Sequence, residues 1–284
     1  MQNIKKSQRR FYGNDTSPRL LDDNILMGGD MRRLHLCAVV VLALFSVGCV
    51  STVDLSGPKK DPRKATEANV KLGMSYLQTG NRDRALRAFS KAQELDPKSA
   101  EAMQGLALVH QLNGENALAE QKFKKALKLR SDFSRSSIEL SYARFLYEDK
   151  RYSEALKYLE KASNDISYPS RGTALYLIGL CSLKSGDLVR AKGSFEHALN
   201  LNGRNAPAAI ELAELYLDEK NYSSAKRYLD QFFANARQSP RSLLLGIKLE
   251  RIFGNKDKEA SYALALKNLH PYSKEYLEYK QQTH

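Results

Sequence analysis

The chain has 284 residues, 42% of them hydrophobic and 27% charged, with a formal net charge of +13. Glycine and proline are sparse, Ala, Leu, Lys and Glu are abundant, and no sustained alternation of Val, Ile and Thr occurs, which excludes a strand-rich fold and points to helices. Of the three cysteines, Cys37 lies inside an N-terminal apolar stretch and Cys49 at its end, so only Cys181 is left in the folded part and a disulfide framework is excluded.

Residues 1–30 are polar and mixed in charge, and they precede a complete export signal. We read them as a leader outside the native protein or without structure, with Met31 as the start. Arg32 and Arg33 form a positive n-region, and Leu36 to Val47 form an apolar h-region too short for a comfortable membrane span. The segment 31–48 followed by Cys49 resembles a lipoprotein signal peptide, whose box ends in Gly/Ala-Cys. Here the box is Ser46-Val47-Gly48-Cys49, with Ser46 where the pattern prefers Leu. The resemblance implies a diacylglycerol thioether on Cys49 and cleavage before it. Multiple acyl chains hold a protein on a bilayer far better than one. Val50 is not the Asp that by resemblance would retain a lipoprotein at the inner membrane, so the expected address is the outer membrane, facing the periplasm. Residues 49–65, with two prolines and no hydrophobic period, read as a lipidated tether. A basic balance suits nucleic acid, anionic lipid or acidic partners. The export signal removes nucleic acid, and the excess lysine is read as a solvated helical surface.

From residue 66 the chain repeats itself. Ala85, Ala119, Ala155, Ala191, Ala225 and Ala260 recur at intervals of 34 to 36 residues. Four residues after each stand Phe89, Phe123, Leu159, Phe195, Leu229 and Leu264, and Ala92, Ala126, Ala162 and Ala198 follow in the first four copies. Leu72-Gly73-x-x-Tyr76 opens the first copy, and weaker versions recur at Leu106-Ala107, Tyr142-Ala143, Ile178-Gly179 and Leu212-Ala213. The pattern resembles the tetratricopeptide repeat (TPR) family, whose period is 34. The resemblance implies an all-α, right-handed superhelical solenoid of about six helix-turn-helix repeats, near 66–99, 100–135, 136–171, 172–205, 206–240 and 241–271, with 272–284 as a C-terminal cap. Small residues in the first helix let the second cross closely, and the Phe or Leu fills the space between helices on the same i, i+4 face. Stacking hides the face that each repeat alone leaves bare.

No catalytic or metal-ligand spacing is found. The histidines form no H-E-x-x-H, and Walker and G-x-S-x-G motifs are missing. His110, in the repeat's Tyr column, reads as a packed core histidine and Cys181 as a small core residue. The chain is read as a binding protein, not an enzyme, with no metal, small-molecule substrate or cofactor other than the covalent lipid on Cys49. In TPR proteins the first helix of each repeat lines a concave groove. The matching positions here are Val70, Met74 and Leu77 in repeat one, Leu108 and Leu112 in repeat two, Leu140, Tyr147, Tyr176, Leu180 and Leu183 in repeats three and four, and Ile210 and Leu217 in repeat five. Such an apolar groove suits an amphipathic helix or an apolar extended segment.

A lipoprotein signal, a short tether and six TPRs together resemble the type IV pilus biogenesis/stability proteins (PilF/PilW), the pilotins of the pilus secretin. The opening run from Lys71 to Leu127 is close to that family's. The resemblance implies capture of secretin subunits and promotion of their outer-membrane multimer. The alternative is a TPR scaffold for peptidoglycan enzymes or another outer-membrane assembly machine.

Overall fold

The computed structural model describes residues 61–131 and 135–283, so the expected leader, the signal peptide and Cys49 lie outside the described residues. Among the described residues there are thirteen α-helices and no strand. Six pairs follow in chain order: α1 (Pro62–Gln78) with α2 (Arg82–Leu95), α3 (Ala100–Leu112) with α4 (Asn116–Ala126), α5 (Arg135–Glu148) with α6 (Tyr152–Asn164), α7 (Arg171–Lys184) with α8 (Leu188–Leu201), α9 (Ala206–Asp218) with α10 (Tyr222–Asn235), and α11 (Pro240–Ile252) with α12 (Lys256–Leu269). A last helix, α13 (Lys274–Thr283), packs against α11. The first helix begins inside the stretch read as tether. Asp61 caps it by accepting from the Arg63 amide, and Pro62 sits in its first turn, where a missing N–H costs nothing.

Each hairpin turn has three residues and one geometry. Its third residue donates its amide to a carbonyl five residues back: Asn81 to Tyr76, Glu115 to His110, Arg151 to Leu146, Asp187 to Ser182, Asn221 to Tyr216 and Asn255 to Glu250. This is a Schellman-type closure, which requires a left-handed residue just before the donor. Gly80, Gly114, Gly186 and Gly254 occupy that position, and Lys150 and Lys220 adopt it at φ 61°.

Five residues after each left-handed residue, Ala85, Ala119, Ala155, Ala191 and Ala225 are buried against the paired helix. Phe89, Phe123, Leu159, Phe195 and Leu229 are buried four residues later. In the sixth pair the same count from Gly254 reaches Glu259, not Ala260. There Ala263 and Leu266 are buried, while Ala260 is exposed and Leu264 is 58% exposed. The sixth repeat therefore runs one residue ahead of the alanine spacing. Glu259 tolerates the small-residue position because its carboxylate turns back to accept from Arg251 Nε at 2.7 Å.

Phe89 shows why small residues recur in the first helices. A Cβ on Gly73 of α1 would lie 2.6 Å from its ring, and one on Gly105 of α3 would lie 2.2 Å from it. The ring is thus clamped between the first helices of two successive repeats. One core runs from Ala107 to Leu249, flanked by an N-terminal cluster around Phe89 and a C-terminal one in which Tyr276 and Tyr279 of α13 cover Ile247 and Leu266. Cys181 lies in the main core, where burial pushes its thiol up to about 11. His110 departs from its expected core place: it is half-buried beside the turn, with Nδ1 paired to the Glu115 carboxylate.

Candidate functional site

Consecutive first helices touch one another along α1, α3, α5 and α7 and again along α9, α11 and α13, whereas consecutive second helices make no comparable contact. Helices that touch lie on the inside of a curve, and those that spread lie outside. The inner face is therefore built from first helices, and it carries three cavities at successive stations.

The first station, about 320 Å³, lies on α1, α3 and α5. Val70 and Met74 give it an apolar wall, Gln104 and Ser137 a polar one, and Lys71 and Glu101 its edges. Met74 is 38% exposed, while Val70 is 7% exposed because its side chain also closes the Phe89 cluster. Gln104 is held by its amide nitrogen donating to Ser141 Oγ at 2.8 Å.

The second station, about 490 Å³, lies on α5, α7 and the start of α9. Tyr147 and Tyr176 line it, each fixed by an aromatic neighbour: Tyr147 by Tyr152 at 5.5 Å and Tyr176 by Phe195 at 5.7 Å between ring centroids. Burial pushes the Tyr176 phenol up to about 12 and raises that of Tyr147 in the same way, so both stay neutral hydrogen-bond donors.

The third station, about 410 Å³, lies on α9, α11 and α13. It is charged rather than apolar. Arg241 of α11 grips two carboxylates of α9, donating from Nη1 and Nη2 to Glu211 at 2.8 Å each and from Nε to Glu214 at 2.5 Å. Lys248 reaches Glu278 of α13 at 2.7 Å.

The structure thus brings Val70 and Met74 together at one station and Tyr147 and Tyr176 at another. Leu217 falls at the third. Leu140 and Ile210 are buried in the core, and Leu108 is half-buried against it. Leu77 packs on the Phe89 cluster, and Leu112, 46% exposed, ends α3 with its carbonyl accepting from Arg82. Among the described residues no group of His, Cys, Asp and Glu could hold a metal ion, and no helix is long and apolar enough to cross a membrane.

Tetratricopeptide repeat models match residues 70–132 and 182–245. The type IV pilus assembly protein PilF of Pseudomonas aeruginosa is 41% identical over 244 residues, covering 85% of this chain and 96% of its own. The chain belongs to the PilF family. A solved structure from a functional characterisation of Pseudomonas aeruginosa PilF superposes with a TM-score of 0.74, covering 78% of this chain and all of that one. A structure of PilW, described as a widely conserved type IV pilus biogenesis factor, matches at TM-score 0.65 and 26% identity, covering 75% of this chain and 97% of that one. This PilF-family chain is accordingly an all-α TPR solenoid of type IV pilus biogenesis, a class that works by binding protein partners. The polar site residues Gln104, Ser137, Thr173, Asn205 and Arg241 were missed by a groove reading that took only apolar side chains at the carried-over offsets. For four of them the signal was the same i, i+3, i+4 face of the first helices, while Asn205 caps α9 by accepting from the Ala208 amide.

Proposed function

We propose that this PilF-family protein is the pilotin of a type IV pilus secretin: a lipoprotein that binds secretin subunits, carries them to the outer membrane and promotes their multimer. The apolar station at Val70 and Met74, on the inner face of a solenoid 41% identical to PilF, carries this reading. An exposed methionine beside a half-open cavity is an adaptable apolar contact for a segment of a partner chain. The anchor is the acylated Cys49, and no catalytic step is needed. The lipid supplies the membrane address and the groove supplies capture.

Binding of purified secretin subunits to the full chain tests the groove. Met74→Lys places an ammonium against an apolar wall, which costs on the order of 1–3 kcal/mol on desolvation and weakens capture by about tenfold or more, with helicity by circular dichroism unchanged. Unchanged affinity would place capture elsewhere. Membrane fractionation tests the anchor. Cys49→Ser releases a folded solenoid from the outer membrane, and an unchanged distribution would refute the lipoprotein assignment.

A further inference from the structure

The tyrosine station does not end at the inner face. It shares Thr173, Asn205 and Pro207 with a further cavity of about 570 Å³, which runs to the edge of the solenoid between the α6–α7 and α8–α9 turns. The two adjoin across these three residues and are treated together as one cleft. Its outer part is lined mostly by polar side chains, among which Ile166, 84% exposed, and Leu201, also exposed, stand as apolar contacts. Its charge is one-sided: Arg144, Arg171 and Arg204 line it against Glu148 as its one lining carboxylate. Among the described residues, none of the three guanidiniums has a carboxylate partner. Arg144 and Arg204 are exposed, and Arg171 is held only through Nε, which donates to the Ser163 carbonyl at 2.6 Å. Glu148 already accepts from Gln111 at 2.7 Å. The third station is different, since Arg241 and Lys248 are both satisfied by carboxylates of the chain itself. Tyr147 and Tyr176 line the same cleft, and their hydroxyls have no hydrogen-bond partner among the described residues.

We propose that this cleft takes an extended acidic segment of a partner protein, with an apolar or aromatic anchor between Tyr147 and Tyr176 and its carboxylates on Arg144, Arg171 and Arg204. The inference rests on the reading of the inner face as a partner groove, and it adds a second site chemically distinct from the Met74 station. Guanidiniums form charge-assisted, forked hydrogen bonds with carboxylates, and the neutral phenols donate to the carbonyls of a peptide backbone. Three first helices packed side by side span roughly 20 Å, the length of about six extended residues. The segment is therefore a short linear motif rather than a folded surface.

The test uses the full chain and two fluorescein-labelled twelve-residue peptides, one of Asp, Glu, Leu and a single Phe, the other with every carboxylate residue replaced by lysine. Fluorescence anisotropy should show the acidic peptide binding at least about tenfold more tightly than the basic one, with affinity falling as salt rises. The double variant Arg144→Glu, Arg204→Glu changes only exposed side chains and should lose about tenfold or more for the acidic peptide, whereas Met74→Lys should bind it as the unmodified chain does. Equal binding of the two peptides, or unchanged affinity in the arginine variant, overturns the proposal. So does an arginine variant that keeps the peptide but loses binding to phosphatidylglycerol vesicles, which would make the cleft a lipid surface. Loss of secretin capture in Met74→Lys with acidic-peptide binding intact keeps the two sites separate. Failure of secretin capture by the unmodified chain strikes the pilotin reading alone.

Discussion

Replacing Gly105 by alanine asks whether the clamp on Phe89 governs stability more than helix propensity does. In an unobstructed helix, Gly→Ala is stabilising by roughly 0.5–1 kcal/mol. At Gly105 the new Cβ would lie 2.2 Å from Cδ1 and Cε1 of Phe89, and relief by a small ring shift is limited, because α1 crowds the same edge: a Cβ site on Gly73 is 2.6 Å from Cε1. Overpacking of that kind costs about 1–3 kcal/mol, and an overlap this deep belongs at the upper end. After the propensity gain, a net loss of about 1–2 kcal/mol remains. Gly193 supplies the matched control. It sits inside α8 with nothing within 4 Å of its Cβ position, so the same substitution there should stabilise by up to about 1 kcal/mol. Urea denaturation of the full chain followed by far-ultraviolet circular dichroism should move the midpoint down for Gly105→Ala and up for Gly193→Ala. In a solenoid the loss falls first on the repeats nearest the change, so the early part of the transition should broaden. Trimming the ring with Phe89→Leu in the Gly105→Ala background should recover part of the loss. If both glycine substitutions raise the midpoint, the clamp does not exist.

Three further perturbations test other parts of the account. Lys150 and Lys220 hold left-handed backbone that glycine holds at the matching turns, so Lys150→Gly and Lys220→Gly should each stabilise by up to about 1 kcal/mol, read as a rise in melting temperature; a fall would mean that the lysine side chains contribute more than the backbone strain. The Arg151 hydrogen bond, helped by Lys124 and Tyr142, holds the Glu120 carboxyl at about 2, below its ordinary value of 4.5. Because the folded value is depressed, this contribution is complete above about pH 5 and is lost as pH falls from about 4.5 towards 2; discounted for partial exposure it amounts to ~1–2 kcal/mol, and Glu120→Gln should flatten the acid limb of the stability profile by that amount. Arg241→Met leaves Glu211 and Glu214 one helical turn apart without their shared cation, which should cost about 1–2 kcal/mol and raise hydrogen exchange in α11 to α13 selectively.

The alanine and phenylalanine columns of the first five repeats were legible because each repeat meets the same neighbours, so the same packing demand recurs at a fixed interval. At the sixth repeat the spacing followed the alanine and chose Ala260. The better marker was the turn: Gly80, Gly114, Gly186 and Gly254 are left-handed, and counting five residues from Gly254 gives Glu259. The turn keeps its left-handed residue, as Gly254 in the terminal repeat and as Lys150 and Lys220 in two others, while the small-residue contact of the terminal repeat gives way, because a side chain can reorient and a left-handed turn cannot. The start of α1 was also written in the sequence, as Asp61-Pro62, and was hidden by reading proline only as a linker residue. Leu140 stands at an inner-face offset yet is buried in the core, because those offsets also carry side chains that turn between neighbouring helices, and periodicity does not separate the two. The arginine-lined cleft was not legible, since Arg144, Arg171 and Arg204 come from three different segments and meet only through stacking.

The most direct measurement is the amount of heat-resistant secretin multimer in cells that lack this gene, with the unmodified chain and Met74→Lys supplied in turn. The account predicts that multimers and surface pili disappear in the deletion, return with the unmodified chain and return only weakly with Met74→Lys. Normal multimers in the deletion strain would contradict it and would leave the protein a TPR scaffold for a different step of pilus biogenesis.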